Sequence, residues 1–110
     1  MRAVTNIYFY DENEKFFGEG PYRLLRKVEE KGSLRAAAMD MNMSYSKAFT
    51  LVSRAEKVLG YPLTEKIIGG KGGGGSTLTK EAKDFMKKYE AYREACYEAN
   101  NRIYHEFFSE

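Results

Sequence analysis

The stretch that decides the fold runs Gly32-Ser33-Leu34-Arg35-Ala36-Ala37-Ala38-Met39-Asp40-Met41-Asn42-Met43-Ser44-Tyr45-Ser46-Lys47-Ala48-Phe49-Thr50. Ser33 is a good N-cap residue, because its hydroxyl can accept one of the backbone N–H bonds that a helix start leaves unmade. Three consecutive alanines then favour a short helix, Leu34 to Asp40, and let a second helix approach it closely. Met41-Asn42-Met43 interrupts that helix, and Asn42 tolerates the left-handed conformation of a tight turn. Ser44 is the next N-cap. A longer helix follows from Tyr45 to about Leu59, with Ala48, Leu51, Val52, Ala55 and Leu59 on one side. Gly60 stops it and Pro62 prevents its continuation. A short helix, a tight turn and a longer helix make a helix-turn-helix.

Working outward, Leu24, Leu25 and Val28 place one apolar face on a helix from Pro21 to Lys31, which Gly32 ends. Upstream, residues 4–10 are β-branched and aromatic and read as a strand, and Asp11-Glu12-Asn13-Glu14 as a polar turn. Lys15-Phe16-Phe17 reads as a short returning strand. Downstream, Leu63 to Ile68 and Ser76 to Leu78 are β-prone and flank Gly69-Gly70-Lys71-Gly72-Gly73-Gly74-Gly75, the tip of a hairpin. That hairpin turns the helix-turn-helix into a winged helix. Lys71 is followed by glycine and not by Ser or Thr, so the tip is not a phosphate-binding P-loop.

Thr79 caps a long final helix whose Ala82, Phe85, Tyr89, Tyr92, Cys96, Ala99 and Ile103 recur at alternating steps of three and four residues. This heptad seam predicts packing against another helix. The chain offers no second helix of similar length, so the expected partner is a second copy, with Phe85, Tyr89, Tyr92, Cys96, Ala99 and Ile103 in a homodimer interface. The fold class expected is mainly α with small β: a winged helix-turn-helix over residues 1–78 and a dimerisation helix over residues 79–110.

Composition narrows the function classes. The chain has 110 residues, 43% of them hydrophobic and 15% aromatic, which suits one packed domain with a helical extension and argues against disorder. No apolar run reaches the ~18 residues of a membrane helix and no signal peptide is visible, so the expectation is a cytoplasmic protein without membrane contact. One cysteine and one histidine exclude an internal disulfide framework and a Cys/His metal cluster. No nucleophile–base pair or paired carboxylates stand out, so no enzyme and no cofactor are expected. The net charge of +2 is an average: residues 20–78 carry ten basic and five acidic residues, whereas the flanking segments are net acidic. A basic winged helix fits double-stranded DNA as partner.

The third helix carries the expected contacts. Tyr45, Ser46, Phe49, Thr50, Ser53 and Arg54 lie opposite its core positions, and Glu56 is its only acid. Hydroxyls of Ser46 and Thr50 can bond base edges or phosphates in the major groove. Tyr45 is expected at DNA, and for Phe49 base contact and packing against the first helix stand equal. Ser33 and Ser44 serve as caps whose helix starts can also receive phosphates. Arg35 and Lys47 favour phosphate over base readout. For Arg54, a phosphate and a surface pairing near Glu56 stand equal. Lys66 and Lys71 of the wing are expected near the DNA backbone. Of the methionines in the turn, Met41 and Met43 are expected in the core, and Cys96 is expected to pack in reduced form.

Residues 18–80 closely resemble the DNA-binding domain of the ModE family of molybdate-responsive transcription regulators, above all in Gly32–Ala38, Met43–Phe49 and the glycine tip followed by Leu78-Thr79. Leu59-Gly60-Tyr61-Pro62-Leu63 is similar to the winged helix-turn-helix of LysR-type regulators. The resemblance implies a sequence-specific dimeric regulator with the third helix in the major groove. Two departures are visible. The separate molybdate-binding domains of that family have no counterpart in 110 residues, so no molybdate site is expected within this chain. The family often has Trp where this chain has Phe49. The alternative expectation is a winged-helix protein-interaction module that uses the aromatic seam or the wing and lacks specific DNA binding.

Overall fold

The computed structural model describes residues 1–68 and 75–108. Its elements, in chain order, are β1 (Phe9–Asp11), β2 (Glu14–Phe17), α1 (Glu19–Lys31), α2 (Leu34–Asp40), α3 (Tyr45–Leu59), β3 (Thr64–Lys66), β4 (Ser76–Leu78) and α4 (Lys80–Phe108). Strands β1 and β2 pair antiparallel, as do β3 and β4, and each pair is a separate two-stranded sheet. The result is a mainly helical winged helix-turn-helix followed by a long helix.

The helix-turn-helix forms for the reasons legible in its residues. Ser33 Oγ accepts from Ala36 N at 3.0 Å, and Ser44 Oγ accepts from Lys47 N at 3.1 Å, so both serines cap as expected. Asn42 sits at φ 54° in the turn, and Gly60 ends α3 at φ 84°, a left-handed conformation that costs glycine nothing. Leu24, Leu25 and Val28 of α1, Ala37 and Ala38 of α2, and Ala48, Val52 and Ala55 of α3 are all buried in one core. The alanines matter because α1, α2 and α3 meet there. Met41 and Met43 pack against this core, while Met39 is exposed.

Three expectations change. The strand over residues 4–10 is a ladder only at Phe9–Asp11. Upstream of it Ala3, Thr5 and Ile7 are half-buried and Val4, Asn6 and Tyr8 exposed, the alternation of a strand without a backbone partner. The segment is instead held to α4 by side chains: Tyr89 OH donates to the Ile7 carbonyl at 3.2 Å and Asn100 Nδ2 donates to Thr5 Oγ1. Helix α1 starts at Glu19, two residues before the expected Pro21. Proline remains in the first turn, where its missing N–H would be unpaired anyway.

The third change concerns the heptad seam. Ala82, Met86 and Tyr89 of α4 are buried in the chain's own core. Tyr89 is only 1% exposed. Its ring meets Phe17 edge-on at 5.0 Å and Phe9 at 5.4 Å, and Phe17 meets Phe85 at 4.7 Å. The N-terminal hairpin therefore covers the first part of the seam, and Tyr89 has no surface left for a second copy, contrary to expectation. A heptad stripe specifies an apolar seam, and here β1 and β2, not another helix, cover its beginning. Tyr92 is 51% and Ile103 49% exposed, with Cys96 and Ala99 half-buried between them. Helix α4 carries the molecule to a length of 60 Å against 28 and 25 Å in the other directions.

Candidate nucleic-acid interface

Helix α3 buries Ala48, Val52 and Ala55. At 100° per residue the opposite side is Ser46, Thr50, Ser53 and Lys57. Ser46, Thr50 and Lys57 are exposed and Ser53 is half-buried. Lys57 was missed among the expected contacts. Its signal was present, since it continues the Ser46–Thr50–Ser53 row by one more turn.

The two flanks of that row differ. On one, Tyr45 and Phe49 lie with ring centroids 6.2 Å apart, and the Arg35 guanidinium sits over the Tyr45 ring at 4.6 Å. Phe49 is 54% and Tyr45 42% exposed, so neither is a core residue. Packing of Phe49 into the interior is thereby excluded. Arg35 is pre-oriented by a cation–π contact and remains beside the aromatic pair at the start of α3. On the other flank, Lys47 and Arg54 rim a pocket between α3, β2 and the start of α1. Arg54 does not turn to Glu56, whose Oε2 accepts from Leu63 N at 2.7 Å and so fastens the α3–β3 turn.

Charge on this face is uncompensated. Asp40 is held by Lys27 at 2.8 Å and by Lys31 at 3.8 Å, on the side of α1. These contacts push the Asp40 carboxyl below its ordinary pKa, the Lys27 hydrogen bond being the main cause. Among the described residues, Arg35, Lys47, Arg54, Lys57 and Lys66 form no ion pair. The positive field of the central segment is thus concentrated on α2, α3 and the wing, available to an anion.

The wing is tied to the helices at its base. Ser76 N donates to the Gly32 carbonyl at 2.8 Å, and Ile67 N to Gly75 O at 2.9 Å. Thr79 is buried: its N–H donates to Leu63 O at 3.0 Å, its Oγ1 donates to Pro62 O at 2.8 Å, and the same oxygen accepts from Ala82 N at 3.0 Å. One threonine therefore caps α4 and clasps both sides of the wing. Lys66 is exposed at the end of β3, opposite Ser76. Lys71 and residues 69–74 lie outside the described residues.

The structure thus gathers Arg35, Tyr45, Ser46, Phe49, Thr50 and Lys57 around α3, with Lys47 and Arg54 on its second flank. Ser33 and Ser44 are committed to capping through their hydroxyls. Among the described residues no group of His, Cys, Asp and Glu side chains could hold a metal ion, and no helix is long and apolar enough to cross a membrane.

A family model for the bacterial regulatory helix-turn-helix proteins of the LysR family matches residues 21–83, from the start of α1 through the first turn of α4. The chain belongs to that family. As a LysR-family helix-turn-helix it is also 35% identical over 68 residues to the transcriptional regulator ModE of Haemophilus influenzae, covering 62% of this chain and 27% of that protein. It is 31% identical over 67 residues to the DNA-binding transcriptional dual regulator ModE of Escherichia coli, covering 61% of this chain and 26% of that one. The chain thus spans about a quarter of the length of these curated relatives. Among solved structures, the DNA-binding domain of CbnR in complex with DNA superposes with a TM-score of 0.58 at 21% identity, over 76% of this chain and 91% of that domain. This likeness extends the LysR-family assignment to the fold.

Proposed function

We propose that this LysR-family chain is a sequence-specific, DNA-binding transcriptional regulator that acts as a homodimer. Helix α3 enters the major groove. Ser46, Thr50 and Tyr45 face base edges, while Arg35, Lys47, Arg54 and Lys57 reach phosphates. The wing, with Lys66 and Lys71, lies on the backbone or in the minor groove. The observation that carries this reading is the solvent face of α3: hydroxyls and aromatics flanked by unpaired cations, with its one acid, Glu56, engaged by backbone. An acid on that face would be repelled by phosphate, and none stands there. The names of the ModE relatives and the likeness to a DNA-bound domain support the same reading.

For the dimer, Tyr92, Cys96, Ala99 and Ile103 form the interface, joined by Phe107 on the last turn, where apolar side chains stay exposed. Phe85 contributes its half-buried edge. The twofold sets two α3 helices at half-sites about one helical turn, ~34 Å, apart.

Selection from random duplex DNA at fixed salt tests the proposal. Enrichment of an inverted repeat supports it. Failure to enrich any sequence refutes it and favours the protein-interaction module, for which the exposed Arg35–Tyr45–Phe49 cluster is the matching observation, since Tyr, Phe and Arg are enriched at protein interfaces. Sedimentation of Ile103→Glu against the parent chain tests the dimer, and an unchanged mass refutes the α4 interface.

A further inference from the structure

The pocket beside α3 has a second use. It encloses about 330 Å³ between the N-terminal hairpin, the start of α1 and α3. Its apolar lining includes Phe16, Pro21, Met43 and Leu51, and its polar lining includes Lys15, Lys47 and Arg54. The volume is about twice the ~150 Å³ cavity that holds a single benzene ring in a protein core, and it falls within the usual range for small-molecule sites. An apolar floor alone would accept any oily fragment. Here three cations meet over it, coming from three different parts of the fold.

The pocket's one carboxylate does not neutralise them. Glu19 accepts from Arg93 at 2.7 and 3.0 Å and from Tyr89 OH at 2.8 Å, so its charge is already matched on the side facing α4. Lys15 lies over the exposed Tyr8 ring at 4.5 Å and has no carboxylate partner among the described residues; Lys47 and Arg54 have none either. The complement of such a site is a body the size of one or two rings that carries a single carboxylate.

We propose that this pocket binds a small aromatic carboxylate, its ring on Phe16, Met43 and Leu51 and its carboxylate between Arg54, Lys47 and Lys15. A guanidinium meets a carboxylate through two parallel hydrogen bonds, so Arg54 is its principal anchor. A consequence, which rests on the DNA-binding reading, is that a bound carboxylate occupies Lys47 and Arg54 and withdraws them from phosphate. The ligand then acts as an effector that loosens DNA without touching the Ser46–Thr50 row. Each phosphate that the protein no longer neutralises makes the slope of log affinity against log salt shallower by about 0.9.

The experiment uses the full chain labelled at its methionine methyls, titrated without DNA with 2-naphthoate, 2-naphthamide and sulfate. Met43 lines the pocket, whereas Met39 and Met86 lie elsewhere and serve as internal controls. Naphthoate is expected to shift the Met43 methyl saturably, with naphthamide about tenfold weaker for want of the charge-assisted bonds, and with sulfate inactive. Arg54→Gln, at an exposed position that leaves the fold intact, is expected to bring naphthoate down to the naphthamide level. Shifts spread over all methyls, equal binding of the amide, or an unaffected Arg54→Gln each overturn the site. DNA titrations across salt then read the consequence: saturating naphthoate makes the slope shallower by about one to two, and an unchanged slope overturns competition. A ligand-free protein that binds no DNA refutes the regulator reading and the competition with it, while the methyl titration still decides the pocket.

Discussion

Thr79→Val tests the wing clasp most directly. Valine keeps the volume and β-branching of threonine and removes only the hydroxyl, so packing of the buried site is conserved. Two hydrogen bonds disappear. The cap on Ala82 N is worth about 1 kcal/mol. The bond donated to Pro62 O contributes about 0.5–1.5 kcal/mol, with a further penalty of up to about 1–3 kcal/mol where the orphaned group stays out of water. Because the site is buried, an overall loss of about 2–4 kcal/mol follows, of which the terms above are not independent. Urea and thermal unfolding at one fixed protein concentration read it. At about 4 °C or more per kcal/mol the melting midpoint falls by roughly 8–16 °C. Thr79→Ser, which restores the oxygen, recovers most of that. The reasoning is refuted if Thr79→Val lies within about 0.5 kcal/mol of the parent, or if Thr79→Ser is as damaging as Thr79→Val.

Other outcomes follow from neighbouring features. A Cβ at Gly18 would stand 2.6 Å from Cδ1 of Tyr8, so Gly18→Ala pushes that ring off its place over Lys15; the expected cost is about 0.5–1.5 kcal/mol in urea unfolding, and a neutral result would show that the ring yields freely. Burial by itself would raise the Glu19 carboxyl, but hydrogen bonds from Arg93 and Tyr89 and the nearby guanidiniums outweigh it and hold its pKa below the ordinary 4.5. A folded pKa below the unfolded one means stability from Glu19 is complete above the ordinary value and disappears as pH falls through the lower, folded one. The difference in unfolding midpoint between the parent and Glu19→Gln should therefore be largest near neutral pH and shrink in acid; a constant difference would count against the ionic link to Arg93. Lys57→Ala should weaken binding to all duplexes alike and make the salt slope shallower by about one, whereas Thr50→Ala should relax base preference with an unchanged slope; paired salt titrations on specific and random duplexes distinguish them.

The helix-turn-helix was readable in the residues because its determinants are local. Ser33 and Ser44 each satisfy a backbone N–H only three positions away, and Asn42 and Gly60 take backbone angles that most side chains resist. Such signals need no knowledge of the rest of the chain. The face of α3 was readable for the same reason, since helical geometry alone sets which residues oppose Ala48, Val52 and Ala55. Lys57 stands one turn beyond Ser53 in the same row, and that periodicity is its only signal.

What covers an apolar face is another matter. The seam on α4 is visible in the order of residues, yet nothing in that order says whether helix, hairpin or second chain lies over it. Phe9 and Phe17 close over Phe85 and Tyr89 through contacts that span some seventy residues of chain. The pocket beside α3 has the same origin: Lys15, Lys47 and Arg54 are distant in sequence and meet only because the N-terminal hairpin docks against α3. The fate of Arg54 likewise turned on Glu56 being claimed by the Leu63 amide. The sequence by itself determined the helix-turn-helix, its caps and its polar row, because those depend on neighbours within a turn or two. Only the tertiary structure decided how the seam is shared and where the uncompensated cations meet, because burial and charge pairing depend on which surfaces come together in space.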